Sequence, residues 1–299
     1  MKSGSKRKID WNEFSTFIFD LDGTVWRWDR LIPGAKETIA ALQKRKKQVL
    51  FITNNTILSR KKLWGKLWRL GIDLGEDQLI NAGLVAAGYF KQKTGIKMKV
   101  KTKSGKRQRK KDEQCMRKSV LAISRGLRED LEERGVSTTN KATADYVIVG
   151  HDIRFDYMTL FTAMEALRRG AKLYATAAGR YFVAGNELWP GTGVLVEALE
   201  YASGKKARLL GKPSAQMCDA IRAANKSKPN KTVLVGDEIM ADIAAGKSLG
   251  YFTVLVKTGV DKGTKSTEKT MSKVRGKEGK IKPDLIVKSI ADISPEIKK

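Results

Sequence analysis

Histidine is nearly missing from this chain: His151 is the single one in 299 residues. That argues against a histidine-built metal centre and leaves carboxylates to carry any chemistry. Cysteine is almost as rare. Cys115 and Cys218 are the two present, neither lies in a Cys-x-x-Cys pair, and two cannot make a disulfide framework. No apolar run approaches the ~18 residues that a membrane span requires, so no membrane partner is expected. The basic start, Met1 to Lys8, is not followed by an apolar signal region, which gives a cytoplasmic expectation. Acidic residues are also in short supply: 32 against 59 Lys and Arg, a formal net charge of +27. Such a charge draws anions, whether phosphorylated metabolites or nucleic acid. A solvated, lysine-rich surface is its commonest origin.

What is present is a globular composition, 41% hydrophobic and 30% charged, at a length suited to roughly one or two domains. The chain is organised around Phe17-Ile18-Phe19-Asp20-Leu21-Asp22-Gly23-Thr24. Three apolar residues read as the end of a buried strand. Two carboxylates follow, one residue apart. Successive strand residues point to opposite faces, so the strand must stop or bend for both carboxylates to reach one site. Gly23 permits that turn. Ligands of open α/β sheets sit at the strand ends. Asp20 is therefore a candidate nucleophile or metal ligand, and Asp22 a candidate acid/base. An ordinary Asp-Gly turn explains the same four residues about equally well.

The remaining pattern alternates strands and helices, as a parallel sheet requires. Helix is expected over about Ala35–Lys46, from Ser59 to Leu70, over Tyr157–Arg169 and over Val194–Tyr201. Strands are expected at Gln48–Thr53, Ser119–Ile123, Tyr146–Gly150, Lys172–Thr176, Thr232–Gly236, Thr253–Val256 and Leu285–Val287. Two basic stretches interrupt the pattern, Lys91–Lys118 and Lys257–Lys282. In the first, Ile96, Met98, Val100 and Thr102 alternate with lysines, which suits a hairpin arm or, slightly better, a solvated loop. His151 is expected at the surface, and Trp64 and Trp68 as packing residues on a helix.

Polar groups recur at four strand ends: Asp20 with Asp22, Thr53 with Asn54, Lys212, and Asp237 with Asp242. Together with Ile32-Pro33-Gly34-Ala35, Pro190-Gly191-Thr192-Gly193, Gly211-Lys212-Pro213-Ser214 and Gly236-Asp237-Glu238, they resemble the haloacid dehalogenase superfamily, in its NagD/4-nitrophenylphosphatase-like branch. The resemblance implies an α/β fold with a Rossmann-like parallel-sheet core and an inserted α/β cap. The expected division is core 1–80, cap 81–184 with a basic insertion at 91–118, and core 185–299. It also implies a phosphatase acting on small phosphorylated metabolites. Asp20 would be the nucleophile and Asp22 the acid/base. Lys212 would offset charge, and Thr53 and Asn54 would hold the phosphoryl group. A Mg²⁺ ion would be held by Asp20, the Asp22 carbonyl and Asp237, with Asp242 in support. A homodimer is a candidate assembly. Three positions depart from the branch pattern: Glu238, Ala241 and the run Thr176-Ala177-Ala178-Gly179. The Gly179-Arg180-Tyr181 element resembles the sub-branch containing the phospholysine/phosphohistidine phosphatase. Two other readings compete: a nucleic-acid-associated protein using Lys91–Lys118, and a phosphotransferase or mutase on the same core.

Overall fold

The computed structural model describes residues 9–94, 118–185, 187–261 and 281–293. The proposed hairpin arm at 96–103, Cys115 and most of both basic stretches lie outside them. The chain begins with β1 (Thr16–Asp20), a small antiparallel flap of β2 (Trp26–Arg27) and β3 (Arg30–Leu31), then α1 (Ala35–Lys44), β4 (Gln48–Thr53), α2 (Arg60–Arg69), β5 (Leu79–Asn81) and α3 (Ala82–Thr94). Next come β6 (Val120–Ile123), α4 (Arg125–Glu133), β7 (Tyr146–Val149), α5 (Tyr157–Arg168), β8 (Lys172–Ala175), the hairpin β9 (Tyr181–Ala184) with β10 (Glu187–Pro190), α6 (Thr192–Ser203) and β11 (Arg208–Leu209). The chain closes with α7 (Ala215–Ala224), β12 (Thr232–Gly236), a π-helical turn (Ile239–Ile243) running into α8 (Ala244–Ser248), β13 (Phe252–Val256) and β14 (Leu285–Val287).

Two sheets result. The larger has the order β14-β13-β12-β1-β4-β5, and every pairing in it is parallel. Parallel sheets bury both faces, and the alternation along β1 shows how. Phe17 and Phe19 pack with Val49, Phe51, Val233 and Val235 on one face. Ile18 packs with Leu50, Ile52 and Leu234 on the other. From β1 the chain winds outward through β4 and β5, then returns to wind the opposite way through β12, β13 and β14. The end of β1 is thus the switch point of the sheet, where a crevice opens.

The smaller sheet, β11-β8-β7-β6, is also parallel. One face packs on α3 and α4 through Phe90, Leu127 and Leu131. The other packs on α5 and α6 through Ala163, Leu167, Val196 and Leu199. Beyond residue 184, where the cap was expected to end, α6 and β11 still pack with this sheet. Val196 and Leu199 bury their side chains against α5, and β11 adds a strand beside β8. The cap-like lobe is fastened to the loop after β4, to the start of α2 and to the end of β5. His151 N–H donates to Thr56 Oγ1 at 2.8 Å, Ser124 Oγ donates to Thr56 O, and Asp130 accepts from Arg60 N–H at 2.8 Å and Asn81 Nδ2 at 2.6 Å.

Candidate active site

Five carboxylates and one lysine converge where β1, β4 and β12 end. Asp20 is the last residue of β1, and Asp237 directly follows β12. Asp242 lies on the π-helical turn after it. Lys212 comes from the loop between β11 and α7. Its Nζ donates to Asp20 Oδ1 at 2.5 Å and to Asp242 Oδ1 at 2.6 Å, with all three side chains nearly sealed from solvent. Asp20, Asp237 and Asp242 each present an oxygen within 4.8 Å of the others. The fit around Asp237 demands glycine: a Cβ on Gly23, at φ +83°, would stand 2.4 Å from Asp237 Oδ2, and one on Gly259 only 1.7 Å away. The expected turn at Gly23 is thus present, and space as well as backbone freedom requires it.

Charge in this cluster does not balance. Burial pushes the Asp20 carboxyl well above the usual range, with Lys212 opposing and Asp242 and Asp237 reinforcing the shift. Burial, then Asp242, likewise raises Asp237. Glu238 is pushed up to about 8 by burial and Asp242. For Lys212, burial works against the charge, but Asp20 and Asp242 outweigh it and raise the ammonium above its ordinary value. One ammonium among so many buried carboxylates leaves room for a further positive charge. An all-oxygen donor set without imidazole or thiolate suits a hard divalent cation. The residues therefore fit a metal of that class.

Asp22 sits differently. Its Oδ1 accepts from Trp26 Nε1 at 2.9 Å and its Oδ2 from Asn55 Nδ2 at 3.0 Å. Asn54 turns the other way, accepting from Lys212 N–H at 2.8 Å and donating to Lys212 O at 3.2 Å. Its side chain thus fixes the loop that delivers the lysine. Thr53 Oγ1 accepts from Asn55 N–H at 2.9 Å. All seven expected site residues, Asp20, Asp22, Thr53, Asn54, Lys212, Asp237 and Asp242, line one cavity of about 90 Å³.

Three contributors were not anticipated. Trp26 and Asn55 hold Asp22, and the signal for Trp26 was its place four residues on, across the Gly23 turn. The third corrects an expectation: His151 is not a surface residue. It is 9% exposed, lines the same cavity and meets Phe182 edge-on at 4.1 Å between ring centroids. Its Nε2 has no hydrogen-bond partner among the described residues, and burial lowers its pKa. Trp64 packs on the main core as expected, while Trp68 is half exposed.

A doubly wound parallel core with buried aspartates and a lysine at its switch point, roofed by a second α/β lobe, defines a phosphatase of the haloacid dehalogenase fold. The comparisons agree. The haloacid dehalogenase-like hydrolase family model matches residues 17–137, and a second, HAD-hydrolase-like, matches 209–293. Mouse (Mus musculus) chronophin is 31% identical, over 92% of this chain and 90% of its own length. Human (Homo sapiens) glycerol-3-phosphate phosphatase is also 31% identical, over 95% and 91%. The p-nitrophenyl phosphatase of Archaeoglobus fulgidus superposes with a TM-score of 0.75 at 27% identity, covering 94% of this chain and 98% of that one. The chain belongs to the haloacid dehalogenase-like hydrolase family, among its NagD/4-nitrophenylphosphatase relatives, and is a phosphoric monoester hydrolase.

Proposed function

We propose that the chain is a Mg²⁺-dependent phosphatase of small phosphate monoesters that works through an aspartyl-phosphate on Asp20. The observation that carries this reading is the pairing of Asp20 with Lys212 at 2.5 Å, beside an Asp22 held by two donors of its own. An Asp20 oxygen attacks phosphorus, and the bond from phosphorus to the leaving oxygen breaks. Asp22 gives that oxygen its proton. It then takes a proton from the water that attacks the aspartyl-phosphate, which frees phosphate and regenerates Asp20. Lys212 offsets negative charge on Asp20 and on the phosphoryl oxygens. Trp26 and Asn55 keep Asp22 pointed at the reacting centre. Asp20 and Asp237 would hold the Mg²⁺ together with the Asp22 carbonyl, and Asp242 would support them through Lys212. When bound, the ion would neutralise phosphate charge that the carboxylates otherwise repel.

A cavity of about 90 Å³ under a lobe hydrogen-bonded to the core favours a small substrate over a phosphoprotein. Relatives named for glycerol-3-phosphate and for phosphoglycolate point the same way. The test is phosphate release from a panel of small phosphate monoesters, with Mg²⁺ and after exhaustive chelation. Release is expected with the metal and not without it, and phosphate should be trapped on Asp20 in acid-quenched protein by mass spectrometry. Turnover that survives chelation, or a phosphorylated peptide elsewhere, would overturn the reading.

A further inference from the structure

The cap sheet has a second edge, and its charge is of the opposite sign. β6, β7, β8 and β11 run parallel, so all four start on one side. Their ends face the catalytic cavity, which His151, just past β7, and Ala177, just past β8, help to line. Their starts border a separate cavity of about 520 Å³, which shares no lining residue with the first. Its floor is tyrosine. Tyr146 and Tyr174 are buried, and Tyr89 Oη lies 3.3 Å from Tyr174 Oη. Phe90 locks the layer from beneath, with centroids 5.3 Å from Tyr146 and 5.1 Å from Tyr174. A floor so packed holds what stands on it in fixed positions.

Its walls are cationic. Lys93, Lys172, Lys205, Lys206 and Arg208 line the cavity, and no carboxylate does among the described residues. Lys118 adds a cation beside it, 6.0 Å from the Tyr146 ring. Two carboxylates stand nearby and both are engaged. Glu200 pairs with Lys206, and Asp145 accepts from Ser119 N–H. Lys93, Lys118, Lys172 and Arg208 make no ion pair among the described residues. Arg208 is steadied by Tyr89, whose Oη accepts from its Nη1 at 3.3 Å. Adjacent strands lie ~4.8 Å apart, so the row from Lys118 before β6 to Arg208 on β11 spans three intervals, about 14 Å. One phosphate cannot engage a row that long. A strand of phosphates repeating every ~3.4 Å or more along its axis can.

We propose that this edge of the cap is a binding site for the phosphate backbone of a single-stranded nucleic acid. Recognition is electrostatic and indifferent to sequence, since the Tyr89 ring is covered by Lys93 and Arg208, and Tyr146 and Tyr174 are buried, so that none offers a stacking platform. The proposal stands independently of the catalytic reading.

The test uses the full chain and a fluorescent single-stranded RNA of roughly 12 nucleotides, titrated across a salt series. The triple variant Lys118→Gln, Lys172→Gln, Arg208→Gln removes one exposed cation at the start of each of three strands. It should weaken binding about tenfold or more and flatten the logarithmic salt slope by about 2, at ~0.7 per lost contact. A charge-matched control, Lys36→Gln, Lys226→Gln, Lys231→Gln, takes three exposed lysines from the core and should lose less than about threefold. Thermal melting checks that both variants fold. Equal losses in the two triples would show that only net charge matters and would overturn the site. So would absence of RNA binding at low salt.

Discussion

The two edges of the cap sheet differ as much as any two regions of the molecule. The strand ends face the core, where Asp20, Asp237 and Asp242 are buried around a single ammonium. At the strand starts, cations stand over tyrosine with no carboxylate among the described lining residues. The net charge of +27 hides this division, because it sums a few sealed acids with many wet bases and says nothing of where either stands. Buried charge alters proton affinity and chemistry, whereas exposed charge acts through long-range, salt-sensitive attraction. One lobe can therefore serve both edges without either field cancelling the other.

The strongest way to break the comparison is to disarm the acidic edge. Asp20→Asn should lower p-nitrophenyl phosphate turnover by at least about a thousandfold, because the amide is no nucleophile. The fold should survive, and circular dichroism with melting checks that. Asp22→Asn should cost about 10²- to 10⁴-fold on an alkyl phosphate, whose leaving oxygen needs a proton. An aryl phosphate with a good leaving group should lose less, and equal losses on the two would count against an acid role. Trp26→Phe keeps the ring but removes the donor to Asp22 Oδ1. A fall of about tenfold in kcat, with KM little changed and the pH profile displaced, is expected if the indole positions the acid/base. An unmoved pH profile would leave Trp26 a packing residue only.

Two smaller effects sharpen the contrast. Asp130, at the junction of the lobes, has its carboxyl pushed up to about 6 by burial, above the ordinary 3.8. The folded protein thus holds this proton more tightly than the unfolded chain. Its contribution to stability is fullest below about pH 4 and is lost as pH rises through about 6. Melting followed across that window should show the decline, and Asp130→Asn should remove that part of the pH dependence even though it weakens the junction. Smallest of all, the triple variant at the basic edge should keep p-nitrophenyl phosphate turnover within about twofold, since its positions share no partner with the acidic cluster. A larger loss would mean that the two edges are coupled.

Much of the site was legible in the chain because strand ends announce themselves. An apolar run followed by Asp-x-Asp-Gly, Thr-Asn-Asn or Gly-Asp says where a buried strand stops and which polar groups emerge there. The helices were similarly legible, with α1 and α5 stopping within two residues of expectation. The β9–β10 hairpin was missed, since Tyr181–Ala184 and Glu187–Pro190 carry no strong alternation and pair only with each other. The packing of α6 and β11 on the cap sheet was not legible, because they follow the family-like Pro190–Gly193 motif and nothing local says which lobe Val196 and Leu199 will face. His151 looked like a lone imidazole after a strand. Its burial depends on Thr56 and Phe182, distant residues brought to it by the packing of cap on core.

By itself the sequence determined the strand-and-helix alternation, the four polar strand ends and the total charge, because each is written in local pattern or plain composition. Only the tertiary structure decided how Lys212 divides itself between Asp20 and Asp242, that Asn54 serves the lysine loop while Asn55 serves Asp22, and that the cap's cations gather at the edge away from the acids. Those outcomes depend on which strands become neighbours and on which end of a parallel sheet faces the core. Some of these pairings, Asp20 with Lys212 and Asn54 with Lys212, join residues more than a hundred positions apart, and no local pattern encodes them.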